Sequence, residues 1–221
     1  MIVYNSRRTL RCEWGHDGVC ACSQNSLLLS NSNTMPKDTV HIGLLSDTHS
    51  YWDDRMTYHL KDCDEIWHAG DLGSLFVFDT MQQLGAKLRV VFGNIDDHHV
   101  RSETEEILQW ELQGIRFCMT HIGGRPGRYA KGIRNLLNSI RPDVFVCGHS
   151  HLLKVQHDDS FGGLYINPGA AGTQGFHQKR TLLKFSLIRG SVSQMHVIEL
   201  GDRRKKLWTT NNYVYLLCLC G

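Results

Sequence analysis

The chain has 221 residues, 41% of them hydrophobic and 21% charged, with a formal net charge of +2. That length and balance fit one globular domain with a sizeable core and exclude a chain disordered through its middle. The positive excess sits at the ends, with Arg7, Arg8 and Arg11 against Glu13 and Asp17 in front and Arg203, Arg204, Lys205 and Lys206 against Asp202 behind; the slightly acidic body between them lacks the basic face of a dedicated nucleic-acid binder.

Residues 1–34, with "CSQNSLLLSNSNT", show neither helical nor strand periodicity and read as an N-terminal appendage outside the fold. Cys12, His16, Cys20 and Cys22 match no common zinc-finger spacing. A regular alternation of apolar runs and helical stretches begins at "TVHIGLLSDTHS", so the expected domain covers 35–200. Within it, "HIGLLSD", "EIWHAGD", "LRVVFGN", "IRFCMTH" and "VFVCGH" share one design, an apolar strand followed directly by Asp, Asn or His. Between them "DDRMTYHLKDC", "SLFVFDTMQQLG" and "GRYAKGIRNLLNSI" have helical spacing. The later "HLLKVQHD", "LYINPG", "RTLLKFSLIRG" and "SVSQMHVIEL" read as consecutive strands. Alternating strands and helices followed by a run of strands predict an α/β fold, a two-sheet β-sandwich flanked by helices in four layers.

Residues 201–221 read as a C-terminal appendage, whose apolar run "YVYLLCLC" is far short of the roughly 20 residues that cross a bilayer. With no apolar leader at the front either, the expectation is a cytoplasmic protein without a membrane partner. Cys63, Cys118 and Cys147 lie in or beside apolar runs and read as small buried thiols rather than a disulfide framework. Homo-oligomerisation is left open.

In α/β sheets, ligands bind beyond the carboxyl ends of the strands. Five strand ends here carry Asp47 and His49, Asp71, Asn94, His121, and His149 with His151. Singly, Asp47 and Asp71 read equally well as helix caps and Asn94 as a turn residue. Their recurrence at the same end of successive strands favours a common ligand. Imidazole, carboxylate and amide oxygen without thiolate suit divalent cations, Mn²⁺ first, with Fe, Zn²⁺ or Ni²⁺ as alternatives. Seven donors with water suffice for two ions, Asp71 being able to give one oxygen to each. Such a pair, about 3.5 to 4 Å apart, can activate a bridging hydroxide as nucleophile and clamp a phosphoryl oxygen, so hydrolysis of a phosphate ester is the expected reaction.

The motifs "SDTHS" (46–50), "HAGD" (68–71), "FGNID" (92–96), "MTHIGG" (119–124), "CGHSH" (147–151) and "NPGA" (167–170) resemble, in the family's order, those of the calcineurin-like metallophosphoesterases. More narrowly they are similar to the small bacterial and archaeal phosphodiesterase branch. The resemblance implies that Asp47, His49 and His151 bind one metal and Asn94, His121 and His149 the other, with Asp71 bridging. It implies catalytic work for Asp71, Asn94 and His121 and a supporting role for Asn167 and Pro168. Where larger phosphatases of the family read "GNHE", this chain has Ile95, which cannot donate a proton. Asp96, next along, reads either as a substitute general acid or as a solvated loop carboxylate. The missing histidine predicts a preference for phosphodiesters with good leaving groups, the expected partner being a small phosphodiester substrate. Arg125 and Arg128 are candidates for holding its phosphate, Arg125 first. His98 and His99 read as exposed loop residues, and Trp52 and Trp67 as core. The rival readings are a phosphomonoesterase and a non-catalytic metal-binding or protein-binding scaffold, as in the retromer subunit that shares this fold with a degraded metal site.

Overall fold

The computed structural model describes residues 38–176 and 178–203. The proposed N-terminal appendage and residues 204–221 lie outside the described residues. In chain order the elements are β1 (Thr39–Leu45), α1 (Asp54–Leu60), β2 (Glu65–Ala69), α2 (Leu75–Gln83), β3 (Lys87–Val91), α3 (His98–Glu103), β4 (Ile107–Leu112) and β5 (Ile115–Thr120). They continue with β6 (Gly124–Arg125), β7 (Arg128–Tyr129), α4 (Ile133–Ile140), β8 (Val144–Val146), β9 (Leu153–Asp158), β10 (Gly163–Pro168), β11 (Lys179–Ile188) and β12 (Ser191–Asp202).

Two five-stranded sheets form, in the orders β12-β11-β1-β2-β3 and β4-β5-β8-β10-β9. In each, three consecutive strands are parallel, β1-β2-β3 at one side of the first sheet and β5-β8-β10 at the centre of the second, while the remaining pairings are antiparallel. The inner faces meet through Ile42, Leu44, Trp67 and Val91 on one side and Phe117, Met119, Val146 and Ile166 on the other. The outer face of the first sheet is covered by Met56 and Leu60 of α1 and Val77 and Met81 of α2, packed on Ile66 and Val90. Ile133 and Leu137 of α4 cover the second sheet at Cys118, Phe145 and Tyr165. This is the four-layer sandwich expected. Because both faces of β1, β2 and β8 are covered, neighbouring residues such as Ile66 and Trp67 are both buried, and the strands read as unbroken apolar runs.

Trp67 anchors the inner layer. It packs edge-on against Trp110, Phe117 and Phe185 at centroid distances of 4.9, 4.8 and 5.5 Å, and its indole N–H donates to Glu65. Truncating such a side chain to alanine costs about 3–5 kcal/mol. The described cysteines, Cys63, Cys118 and Cys147, are free and buried. Among the described residues no helix is long and apolar enough to cross a membrane.

The structure departs from the sequence reading in several places: His98 and His99 begin helix α3 instead of lying in a loop, and the stretch before α4 differs most. The segment read as one helix from Gly127 to Ile140 is helical only from Ile133, and is preceded by the β6–β7 hairpin. Gly124, Gly127 and Gly132 have φ of +80°, +79° and +86°, left-handed values that interrupt a right-handed helix. Nor do Asp47 and Asp71 cap helices. Asp53 caps α1, accepting from the Met56 N–H, and Asp97 caps α3.

Candidate metal centre

The parallel strands deliver their polar ends to one edge. β1 leads to Asp47 and His49, β2 to Asp71, β3 to Asn94, β5 to His121, and β8 to His149 and His151. Asp47, His49, Asp71, His149 and His151 all hold left-handed backbone, with φ of 55°, 49°, 57°, 65° and 57°. The chain turns back sharply at each, which keeps the loops short and aims alternate side chains at one point. Two glycines permit the close approach. A Cβ at Gly93 would meet Asp71 Oδ1 at 2.0 Å, and one at Gly148 would meet Ser46 Oγ at 2.0 Å.

All seven donors come together. Asp47, His49 and His151 form one group whose ligand atoms lie within 4.8 Å of one another, and Asp71, His121 and His149 form a second. His151 Nε2 is 3.1 Å from Asp47 Oδ1 and 3.4 Å from His49 Nε2. In the second group His121 Nε2 is 3.2 Å from Asp71 Oδ1 and 3.2 Å from Asn94 Oδ1. The other oxygen of Asp71, Oδ2, faces back to His49 Nε2 at 3.8 Å. One carboxylate therefore turns an oxygen to each group.

Neighbouring groups aim the donors. Ser46 Oγ donates to Asp47 Oδ2 at 2.6 Å and the His149 N–H to the same oxygen at 3.1 Å. Asp47 Oδ1 is left buried with no hydrogen-bond donor, since His151 Nε2 lies near it outside hydrogen-bonding geometry. An unsatisfied buried carboxylate oxygen is costly, and a cation satisfies it, so the residues fit a metal. The His121 Nδ1–H donates to the Ala69 carbonyl at 2.8 Å, which leaves its Nε2 lone pair facing Asp71 and Asn94. Burial pulls His49 below its ordinary pKa despite Asp71 and Asp47, so it is neutral and ready to ligate. Burial lowers His121 as well, but in the protonated ring an Nε2–H bond to Asp71 and the nearby carboxylates outweigh this, and the net shift is upward. Burial is the largest single influence on Asp71 and raises it, but the hydrogen bond and charge of His121, the Ile95 N–H and His49 together outweigh it, and the net shift is downward.

The other sequence candidates fall outside the cluster. Asp96 is neither a solvated carboxylate nor placed as a proton donor. It is 3% exposed, and its oxygens accept the backbone N–H groups of Leu72, Gly73 and Gly93 at 3.2, 2.7 and 2.7 Å. With both oxygens occupied it braces the β2 and β3 loops instead of facing substrate. Arg125 lies exposed on β6, in register with Arg128, and the cleft beside the site is lined by Lys131 instead. His98 and His99 are exposed at the start of α3. Burial pushes the Cys147 thiol up to about 12, which keeps it protonated and no competitor for metal. Asn167 donates to the Gly148 carbonyl at 2.8 Å and to Ser150 Oγ at 3.1 Å, holding the "CGHSH" loop.

Two buried residues that contact the site's loops have no role in the sequence reading. His68, fully buried, accepts the Gly70 N–H at Nδ1, so its Nε2–H donates to Thr48 Oγ1 at 3.0 Å and ties the first two loops together. Its position inside an otherwise apolar strand was the available signal. Arg203, just past β12, is 3% exposed and reaches His151 Nδ1 at 3.1 Å while also donating to the Gln174 carbonyl.

Residues 40–190 match the family model for the calcineurin-like phosphoesterase superfamily domain. A probable metallophosphoesterase of Mycoplasma pneumoniae is 31% identical over 159 residues, covering 69% of this chain and 92% of that protein. A phosphodiesterase of Methanocaldococcus jannaschii is 25% identical over 143 residues, covering 58% of this chain and 82% of that one. Among solved structures, one from the characterisation of a novel archaeal phosphodiesterase matches with a TM-score of 0.56 at 22% identity, covering 73% of this chain and all of that one. Vps29 of Chaetomium thermophilum matches with a TM-score of 0.58 at 12% identity, covering 73% and 97%; both likenesses concern the fold alone. Through its 40–190 segment the chain belongs to the calcineurin-like phosphoesterase superfamily, a metal-dependent family of hydrolases.

Proposed function

We propose that the protein is a two-metal phosphodiesterase acting on small phosphate diesters. The observation that carries this reading is Asp71, whose Oδ1 and Oδ2 face two separate donor groups. A pair of divalent cations bound there supplies an activated water and concentrates positive charge beside phosphorus. The chain's own part is positional. Ser46 and the His149 N–H fix Asp47, the Ala69 carbonyl fixes His121, and Asp96 locks the loops that carry Asp71 and Asn94.

The diester preference rests on what the β3 loop lacks. Ile95 is 45% exposed and has no proton to give, while Asp96 is turned inward. The loop therefore offers no proton to a departing alkoxide, which favours esters whose leaving group needs none, such as aryl diesters, over alkyl monoesters. The relative named as a phosphodiesterase supports the same reading. Nitrogen and oxygen donors without thiolate suit Mn²⁺, with Fe, Zn²⁺ or Ni²⁺ as alternatives.

The test is hydrolysis of bis(p-nitrophenyl) phosphate by metal-stripped protein, with and without Mn²⁺, beside His149→Ala. Manganese-dependent turnover that the variant has lost by two or more orders of magnitude is the expected result, on the scale of removing a transition-state charge stabiliser (about 10²–10³). Metal binding without turnover would favour the scaffold reading instead.

A further inference from the structure

Beside the metal site runs a cleft of about 630 Å³, within the usual range of small-molecule sites, roughly 300–1,000 Å³. It adjoins that site because Asn94 and His121 are among its lining residues. Apolar Phe92, just past β3, Ile107 from the start of β4, and Ile133 and Leu136 from α4 make up much of the rest of the lining, with the charged Arg101 and Glu106 among them. Lys131 stands at the exposed rim. Ile107 is 36% exposed and belongs to none of the core clusters. It is an apolar side chain open to solvent on the wall of a concave site, next to groups that would hold a phosphorus centre.

We propose that this cleft is the specificity site for the ester's organic arm, taking a flat apolar group of aryl or nucleobase size in preference to a small alkyl group. The proposal rests on the metal-site reading, since the donors in its lining anchor the phosphoryl group and the cleft receives what is attached to it. Apolar surface left open on Ile107 and half-open on Phe92 and Leu136 becomes buried when a ring enters, whereas a methyl group reaches little of it. Discrimination then comes from the arm rather than from phosphorus, which every ester shares.

Phosphonates, which are not hydrolysed, separate binding from chemistry. Calorimetric titration of the Mn²⁺-loaded protein should show phenylphosphonate binding about tenfold more tightly than methylphosphonate, a difference one buried ring can supply. Ile107→Trp, which fills the cleft without touching a metal donor, should erase that preference while leaving methylphosphonate and Mn²⁺ affinities within about twofold. Leu136→Trp fills it from α4 and should do the same. Equal affinities in the wild type, a preference that survives both substitutions, or no phosphonate binding to metal-loaded protein would overturn the proposal. If instead the phosphonate preference behaves as described but bis(p-nitrophenyl) phosphate is not turned over, the cleft stands and the enzymatic reading fails.

Discussion

Replacing His149 by glycine should stabilise the metal-free protein relative to replacing it by alanine, although both changes remove the same ligand. His149 holds φ of 65° and is exposed, so neither substitution leaves a cavity. Its backbone N–H donates to Asp47 Oδ2, a bond that both variants keep. What differs is the left-handed backbone, which costs an L-residue about 1–2 kcal/mol and glycine almost nothing. Against this, glycine loses about 0.4–1 kcal/mol more chain entropy on folding than alanine. The balance favours His149→Gly over His149→Ala by about 0.8 kcal/mol, or roughly 2 °C in melting temperature for a domain of this size. Thermal melts in EDTA read this directly. With Mn²⁺ added the wild type alone should rise clearly above both, because binding to the folded state adds RT ln(1 + [L]/Kd) of stability. A glycine variant that melts at or below the alanine variant in EDTA would refute the idea that the site's geometry is held at the expense of backbone strain.

Other residues make separate predictions. Asp96→Asn sets an amide NH₂ against one of the three backbone N–H donors and should cost about 1–3 kcal/mol in urea denaturation, while the acid limb of the kcat profile is retained. Loss of a titration step from that profile would restore Asp96 as general acid. Burial holds His68 at about 4, below its ordinary 6.5. The unfolded chain takes up a proton between those values that the folded protein refuses, so stability is full above pH 6.5 and falls toward pH 4 by up to about 3 kcal/mol. His68→Gln should flatten that slope in urea melts at pH 7 and 4.5, and an unchanged slope would assign the loss elsewhere. Arg203 can only donate, so His151 Nδ1 accepts from it and a neutral ring keeps its proton on Nε2, outside hydrogen-bonding geometry with Asp47 Oδ1. A cation at Nε2 must displace that proton, and Arg203→Met should tighten Mn²⁺ binding about tenfold by calorimetry, the scale on which outer partners tune a metal. Weaker binding in the variant would make Arg203 a support for the site.

The fold was legible because its parallel strands are buried on both faces. "EIWHA" and "VFV" are near-continuous apolar runs, each ended by a polar residue, and that pattern marks a strand whose carboxyl end opens on a ligand edge. The β6–β7 hairpin was not legible, because "GRYAKG" carries apolar spacing compatible with a helix and only the φ values of its flanking glycines decide against one. Strand β4, "ILQWEL", alternates half-buried and exposed residues at a sheet edge. That weaker period gives a sequence reader little to hold.

At the site, legibility followed the direction in which each side chain must point. The seven donors could be named because a strand end aims its polar residue outward at a shared edge. Asp96 could not be placed, since the same short loop that carries Asn94 outward sends Asp96 back under Gly93, and nothing in "GNID" distinguishes the two directions. His68 and Arg203 escaped for a related reason: each acts by fixing a neighbour across the fold, His68 through Thr48 and Arg203 through His151, partners 20 and 52 residues away. Candidate ligands are set by local geometry, which a sequence displays. The groups that hold those ligands still are set by packing between distant segments, and the left-handed turns at Asp47, Asp71 and His149 depend on them, because a strained backbone persists only where its surroundings leave it no other conformation.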